Sequence, residues 1–381
     1  MILRINPDKI FIGFIVFLIP LALFLLNFKT SSFLNLPAQL RVLPSSFSKN
    51  TFLPEFVKNL SLDQKVGQLF IVGFEGKEMN PQLEAFLKTI KPGGVLLLAR
   101  NIENENQLKK LIKDLQEISL KDSGIPLLVA VDQEGGAVCR LHFVNCYAQK
   151  NISHPRTAYL VGFIRGFLLK KLGVNLNLAP LVDEAKKGDF IFERTFQKSN
   201  ELNGILAKNL IFGQKEAGIL SALKHFPGYG FIDFDPERKR LAVYKNLPSF
   251  NSFLEALKAE PEMLMVANAI YEEIDKEHLF SFSPKAISFL KENLGTNFLV
   301  ISDDLTAPVL KKRYDLQELA LKPFEAGVDL MIVSGFDSIQ DILNIVSTFK
   351  MRVQNDENLR DILDKRISKI LELKRKKLLG Y

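Results

Sequence analysis

Cysteine and histidine are scarce in this 381-residue chain, which carries two of the first and four of the second. The cysteines, Cys139 and Cys146 in VCRLHFVNCY, lack the repeated pair spacing of a zinc site. The histidines, His142, His154, His225 and His278, join no acid cluster with metal-ligand spacing, which disfavours metal-dependent hydrolysis; no metal or cofactor is expected. There is no G-x-S-x-G elbow, and serine acyl transfer is disfavoured with it. No glycine-rich phosphate loop follows the first apolar run, which argues against the doubly wound open sheet of dinucleotide-binding proteins. Charge of one sign is not in large excess: a formal net +7 is mild for this length, the basic residues gather only near the C-terminus, and nucleic acid is not an expected partner.

What is present is a large supply of core. Apolar residues make up 47% and charged residues 24%, the balance of a globular chain. The N-terminus holds an uncharged run, IFIGFIVFLIPLALFLL, from Ile10 to Leu26, long enough or nearly so to span a bilayer. Arg4 and Lys9 precede it, Lys29 follows it, and no small-x-small cleavage pattern comes after, so it reads as an uncleaved signal anchor. The charge bias keeps the N-terminus inside and places the rest of the chain outside the cytoplasmic (inner) membrane, as a single-pass protein. In that compartment Cys139 and Cys146 are free to pair. The expected organisation is an anchor over 1–28, a Ser-, Pro- and Asn-rich linker over 29–53, and one domain over 54–381.

Within that domain, apolar runs of strand length recur at 68–74, 93–99, 126–132, 174–180, 219–226, 262–269, 298–304 and 329–335. Segments with helical spacing separate them, such as 104–120, where Leu108, Leu111, Ile112 and Leu115 form one stripe. Eight strand–helix units predict a TIM-type (β/α)8 barrel, a fold whose catalytic groups project from the C-terminal ends of the strands. Those ends are polar here: VDQEGG closes the third run, KHFPGYG the fifth and SDD the seventh. A rim of carboxylates with Arg and Lys among them suits the gripping of hydroxyls and attack on an acetal carbon, the equipment of a glycosidase. The C-terminal stretch RDILDKRISKILELKRKKLLGY reads as an amphipathic helix that closes the barrel with a solvated basic face, contact with a membrane surface being the weaker reading.

Five motifs in order, VDQEGGAVCRL, NLNLAPLVD, ERTF, ALKHFPGYG and ISDDL, resemble the glycoside hydrolase family 3 barrel domain, in its single-domain bacterial β-N-acetylglucosaminidase branch, over about residues 60–375. The resemblance implies that Asp303, first of the acid pair, is the nucleophile that forms a covalent glycosyl-enzyme. Asp304 then supports the loop, and a helix N-cap role suits it better than Asp303. Asp132, Arg140, Arg194, Lys224 and His225 match sugar-binding positions, where carboxylates accept from neighbouring hydroxyls and cations donate to oxygen.

The sequence departs from the branch at four places. Tyr229 stands where a histidine is usual, Asn268 where relatives often have histidine, and Ala137 where arginine follows DQEGG. Glu237 occupies the place of the acid/base histidine, with Asp235 retaining its acid. The expected activity is that of an exo-glycosidase on β-linked N-acetylglucosamine of cell-wall or chitin-like glycans, with Asp303, Glu237 and Asp235 as the catalytic set. A glucosidase-type preference, and a catalytically weak or inactive barrel that binds glycans or a protein partner at the membrane, are the open alternatives.

Overall fold

The computed structural model describes residues 53–335 and 338–379. The anchor expected over Ile10–Leu26 and almost all of the linker lie outside the described residues; among those described, no helix is long and apolar enough to cross a membrane. The eight predicted strands are all present, as β1 (Phe70–Val72), β2 (Gly94–Leu97), β3 (Leu128–Val131), β4 (Leu176–Asn177), β5 (Leu220–Phe226), β6 (Met263–Val266), β7 (Leu299–Asp304) and β8 (Leu330–Val333). Each pairs in parallel with its neighbours, and β1 pairs with β8 (Phe70 beside Met331) to close the barrel.

The strands carry apolar runs without alternation because both faces are covered, one by the barrel interior and the other by the helices. Along β7 the burial is broken at one residue, Asp303, which is partly open to solvent. Helices between the strands follow local signals. In α1 (Glu105–Ser123) Asn104 caps the start by accepting from Gln107 N, Gly124 takes a left-handed conformation at the end, and Leu108, Leu111, Ile112 and Leu115 are buried as the stripe predicts.

The C-terminal helix α2 (Glu357–Leu378) lies at the N-terminal end of the barrel, opposite the polar rim. Its basic face is not wholly solvated. Lys374 is buried, and its Nζ donates to Gln68 Oε1 (2.7 Å), Gly93 O (2.7 Å) and Pro126 O (2.9 Å), groups at the entrances of β1, β2 and β3. The helical stripe marks Leu363, Ile367, Ile370 and Leu371 as core, and Lys374 continues that same stripe. Lys374→Met keeps the length of the side chain but removes the donor from three acceptors. It is expected to lower the unfolding free energy by about 3 kcal/mol, read as a shift of the denaturant midpoint with the slope unchanged; a shift within error would show that the floor does not depend on this ammonium.

Candidate active site

At the polar rim, a lattice of buried charges joins three strand ends. Asp132 follows β3, and Glu134 lies in the short hairpin after it. Lys224 of β5 reaches both, at 2.6 Å to Asp132 Oδ1 and 2.7 Å to Glu134 Oε1. Arg194, from the segment after β4, forks onto Glu134 with Nε to Oε2 at 3.0 Å and Nη2 to Oε1 at 2.8 Å. Burial works to raise both carboxyls, but Lys224 and Arg140 hold Asp132 below its ordinary value, and Arg194 and Lys224 hold Glu134 far below its own. The pairing also raises Arg194 and Lys224 against their burial.

The hairpin that carries Arg140 is pinned from several sides. Gln133 clamps Leu141, accepting from its N–H (3.0 Å) and donating to its carbonyl (3.1 Å). Arg165, fully buried, donates to the carbonyls of Glu134, Asn145 and Tyr147. Cys139 and Cys146 form a disulfide that closes the loop around Arg140. Gly135 has φ +91, and a Cβ there would meet the Tyr147 carbonyl at 2.2 Å, so only glycine fits the turn. Arg140 itself lines the cavity, and its buried Nε has no partner in the protein, so a donor is left for a ligand.

Asp303, Asp304 and Glu237 line the same cavity. Asp303 Oδ2 accepts from the hydroxyl of Tyr229 (2.9 Å) and Oδ1 from Asp304 N (2.9 Å). Asp304 does not cap a helix; Ala307 occupies the N-cap of Pro308–Lys311. Asp304 instead accepts from Thr306 N (2.9 Å), Thr306 Oγ1 (2.6 Å), Ser334 N (3.2 Å) and Ser334 Oγ, joining the loops after β7 and β8. The loop after β5 brings in Glu237, whose carbonyl accepts from Val309 N (3.1 Å), a bond that ties this loop to the segment after β7. Burial, then the charges of Asp303, Asp304 and Asp235, push the Glu237 carboxyl well above the usual range.

The cavity, ≈ 380 Å³, is lined by Asp132, Arg140, Arg194, Lys224, His225, Glu237 and Asp303 among others, so seven of the eight expected site residues share it. Asp235 does not line it; its Oδ1 accepts from Glu237 N at 2.9 Å and shapes the turn behind that residue. Three organisers were not singled out as site residues by sequence reasoning. Glu134 was visible inside DQEGG, and Asp183 at the end of NLNLAPLVD. Asp183, fully buried, accepts from His225 N (3.1 Å) and Tyr229 N (2.7 Å) and faces His225 Nδ1 at 3.2 Å. Tyr229 was noted only as a departure. Among the described residues, the cluster that could hold a metal is Cys139, His142 and Cys146, whose two sulfurs are joined to each other.

Comparison with known proteins agrees with this fold. The family model for the glycosyl hydrolase family 3 N terminal domain matches residues 61–371. Beta-hexosaminidase A of Pseudoalteromonas piscicida is 27% identical over 320 residues, covering 72% of this chain and 54% of its own. This chain therefore spans about half the length of that relative. Beta-hexosaminidase of Bordetella avium is 28% identical over 298 residues, 72% of this chain and 82% of its own. Among solved structures, a glycoside hydrolase family 3 beta-N-acetylglucosaminidase from Paenibacillus sp. str. FPU-7 superposes with a TM-score of 0.78 at 27% identity, over 84% of this chain and 64% of that one. Beta-N-acetylhexosaminidase from Beutenbergia cavernae does so at 0.76 and 27%, over 83% and 99%.

The charge lattice predicts a pH-dependent penalty for Glu134→Gln. The folded carboxyl titrates below its unfolded value of about 4.3, so its stabilisation is complete above that pH and is lost as pH falls toward the folded value. Glu134→Gln leaves Arg194 and part of Lys224 uncompensated and is expected to cost about 3–5 kcal/mol at neutral pH. Urea unfolding at pH 7 and below pH 4 checks this: the gap between wild type and variant narrows in acid, and a gap independent of pH would remove Glu134's charge from the account.

Proposed function

The chain belongs to glycosyl hydrolase family 3, and from that premise we propose that it is a retaining exo-glycosidase acting on terminal β-linked N-acetylhexosamine. The observation that carries the reading is one cavity with two carboxyls in unlike settings. Asp303 accepts two hydrogen bonds and is placed for attack, while burial and the acids around Glu237 favour its protonated form. In the first step the Asp303 carboxylate bonds to the anomeric carbon as the bond to the leaving oxygen breaks, and Glu237 gives that oxygen its proton. In the second, Glu237, now ionised, takes a proton from water as the water oxygen attacks the same carbon and Asp303 leaves.

Asp132, Arg140, Arg194, Lys224 and His225 grip the sugar. All five line the cavity, and Arg140 Nε supplies a donor without a protein acceptor. Asp235 acts behind Glu237 by fixing its turn. The amino-sugar preference rests on relatives named beta-hexosaminidase, and the choice of cell-wall or chitin-like glycan rests on the apolar run at Ile10–Leu26, which would hold the barrel at the outer side of the inner membrane.

Nitrophenyl β-glycosides, the N-acetylglucosaminide first, test the activity and the sugar together. Asp303→Asn is expected to abolish turnover nearly completely while sugar binding stays measurable, and a fluorosugar inactivator should be recovered by peptide mass on Asp303; recovery on another residue, or a silent wild type that binds glycans, would replace this reading with a binding barrel. Activity is expected to fall as pH rises through the raised value of Glu237, because the acid form is then lost. In Glu237→Gln that alkaline fall should vanish, poor leaving groups should suffer far more than nitrophenyl ones, and azide should restore the latter as the glycosyl azide. Equal, small effects on both substrates would leave Glu237 without the proton. For topology, a C-terminal reporter that works only outside the cytoplasm should be active, and a well-expressed silent fusion reverses the orientation.

A further inference from the structure

The proton arrangement on which the proposed reaction rests requires that one carboxyl of a facing pair be charged and the other not. Burial and mutual repulsion place a single proton on such a pair, yet neither says which member holds it. The hydrogen bonds around Tyr229 do. Its hydroxyl oxygen accepts from Asn268 N at 2.6 Å, and an amide N–H can only donate. The hydroxyl proton is therefore free to point the other way, toward Asp303 Oδ2 at 2.9 Å. The ring has little room to turn from this pose: it is 3% exposed, its centroid is 5.0 Å from that of His225, and its own N–H is held by Asp183 at 2.7 Å.

We propose that Tyr229 is a positioning residue that assigns the proton of the Asp303–Glu237 pair to Glu237, by offering Asp303 a donor that a protonated carboxyl would use less well. Val309 N separately ties the Glu237 backbone to the segment after β7. The other charged groups around the pair do not discriminate between its members in the same way. Asp235 lies on the loop of Glu237, Asp304 on the strand of Asp303, and Arg194, forked onto Glu134, acts on Glu237 only through its charge. Tyr271, beyond β6, donates its hydroxyl to Gly228 O. Lys224 and His225 of β5 and Asp132 just after β3 line the cavity but are engaged with Glu134, Asp183 and one another. Arg140 and Arg238 border the same space from the hairpin and the Glu237 loop, and Arg100 is held by the Phe74 and Ser334 carbonyls.

Tyr229→Phe removes the donor and keeps the ring. In the full chain labelled with ¹³C at Asp and Glu carboxyls, with Asp303→Asn used for assignment, the lower of the pair's two titration steps is expected to rise by about one pH unit. The upper step should stay. The acid limb of the rate profile should move with the lower step, kcat should fall roughly ten- to hundredfold, and KM should hardly change. Titration steps that stay in place, with a loss of rate equal at every pH, overturn the proposal and leave Tyr229 a packing residue. A lower step that moves in a chain that hydrolyses no glycoside upholds the assignment and counts against the glycosidase reading instead. If the variant does not fold, because Asn268 N has lost its acceptor, the wild type still decides: the ¹³Cζ signal of Tyr229 must follow the lower step and cease to do so in Asp303→Asn, and a Tyr229 signal indifferent to that step overturns the proposal.

Discussion

Glu134 is buried, and its charge is answered from two sides, by the fork of Arg194 and by the ammonium of Lys224, which in turn holds Asp132. Each of these ions is tolerable in the interior only because the others are there. The lattice fixes the ends of β3 and β5 and the segment after β4 against one another, and it does so before any ligand arrives. A sugar entering the cavity meets oriented donors and acceptors, with little reorganisation left to make.

The opposite wall is arranged on a different principle. Asp303, Asp304, Glu237 and Asp235 are gathered with few cations between them, and they are kept apart in role by neutral hydrogen bonds. Thr306 and Ser334 occupy Asp304, the Glu237 amide occupies Asp235, and Tyr229 with the Asp304 amide occupies Asp303. One wall of the pocket is thus built from paired opposite charges, and the other from carboxyls held mainly by neutral hydrogen bonds.

Much of this could be read from residue order. Strands buried on both faces appear as unbroken apolar runs, so β1 to β8 were all legible, and the fold then directed attention to the strand ends. There the reading depended on chemistry visible in a side chain's type: acids and bases in motifs stood out, and seven of the eight site residues expected from sequence line one cavity. What was missed acts through partners far along the chain. Asp183 matters because the backbone of residues 225 and 229 arrives beside it, and Glu134 because Arg194 does. Tyr229 looks like one more aromatic residue until Asn268 N fixes which way its hydroxyl points. Asp304 resembled a cap because acids after strands often are; the short helix beginning four residues further on gives that position to Ala307.

The chain is joined to itself across great distances at the end of the barrel away from the site. β1 meets β8, and Lys374 meets Gln68, residues 306 positions apart in sequence. During synthesis the residues of the rim emerge from the ribosome long before the lysine that seals the floor, and each must wait for the last helix before the barrel has all of its partners. Closing so long a loop is slow relative to local helix formation. The nascent chain therefore passes through a stage in which the acids and cations of the pocket exist without the closed barrel that holds them, and the residues near the C-terminus, remote from any sugar, set the moment at which the site comes into being.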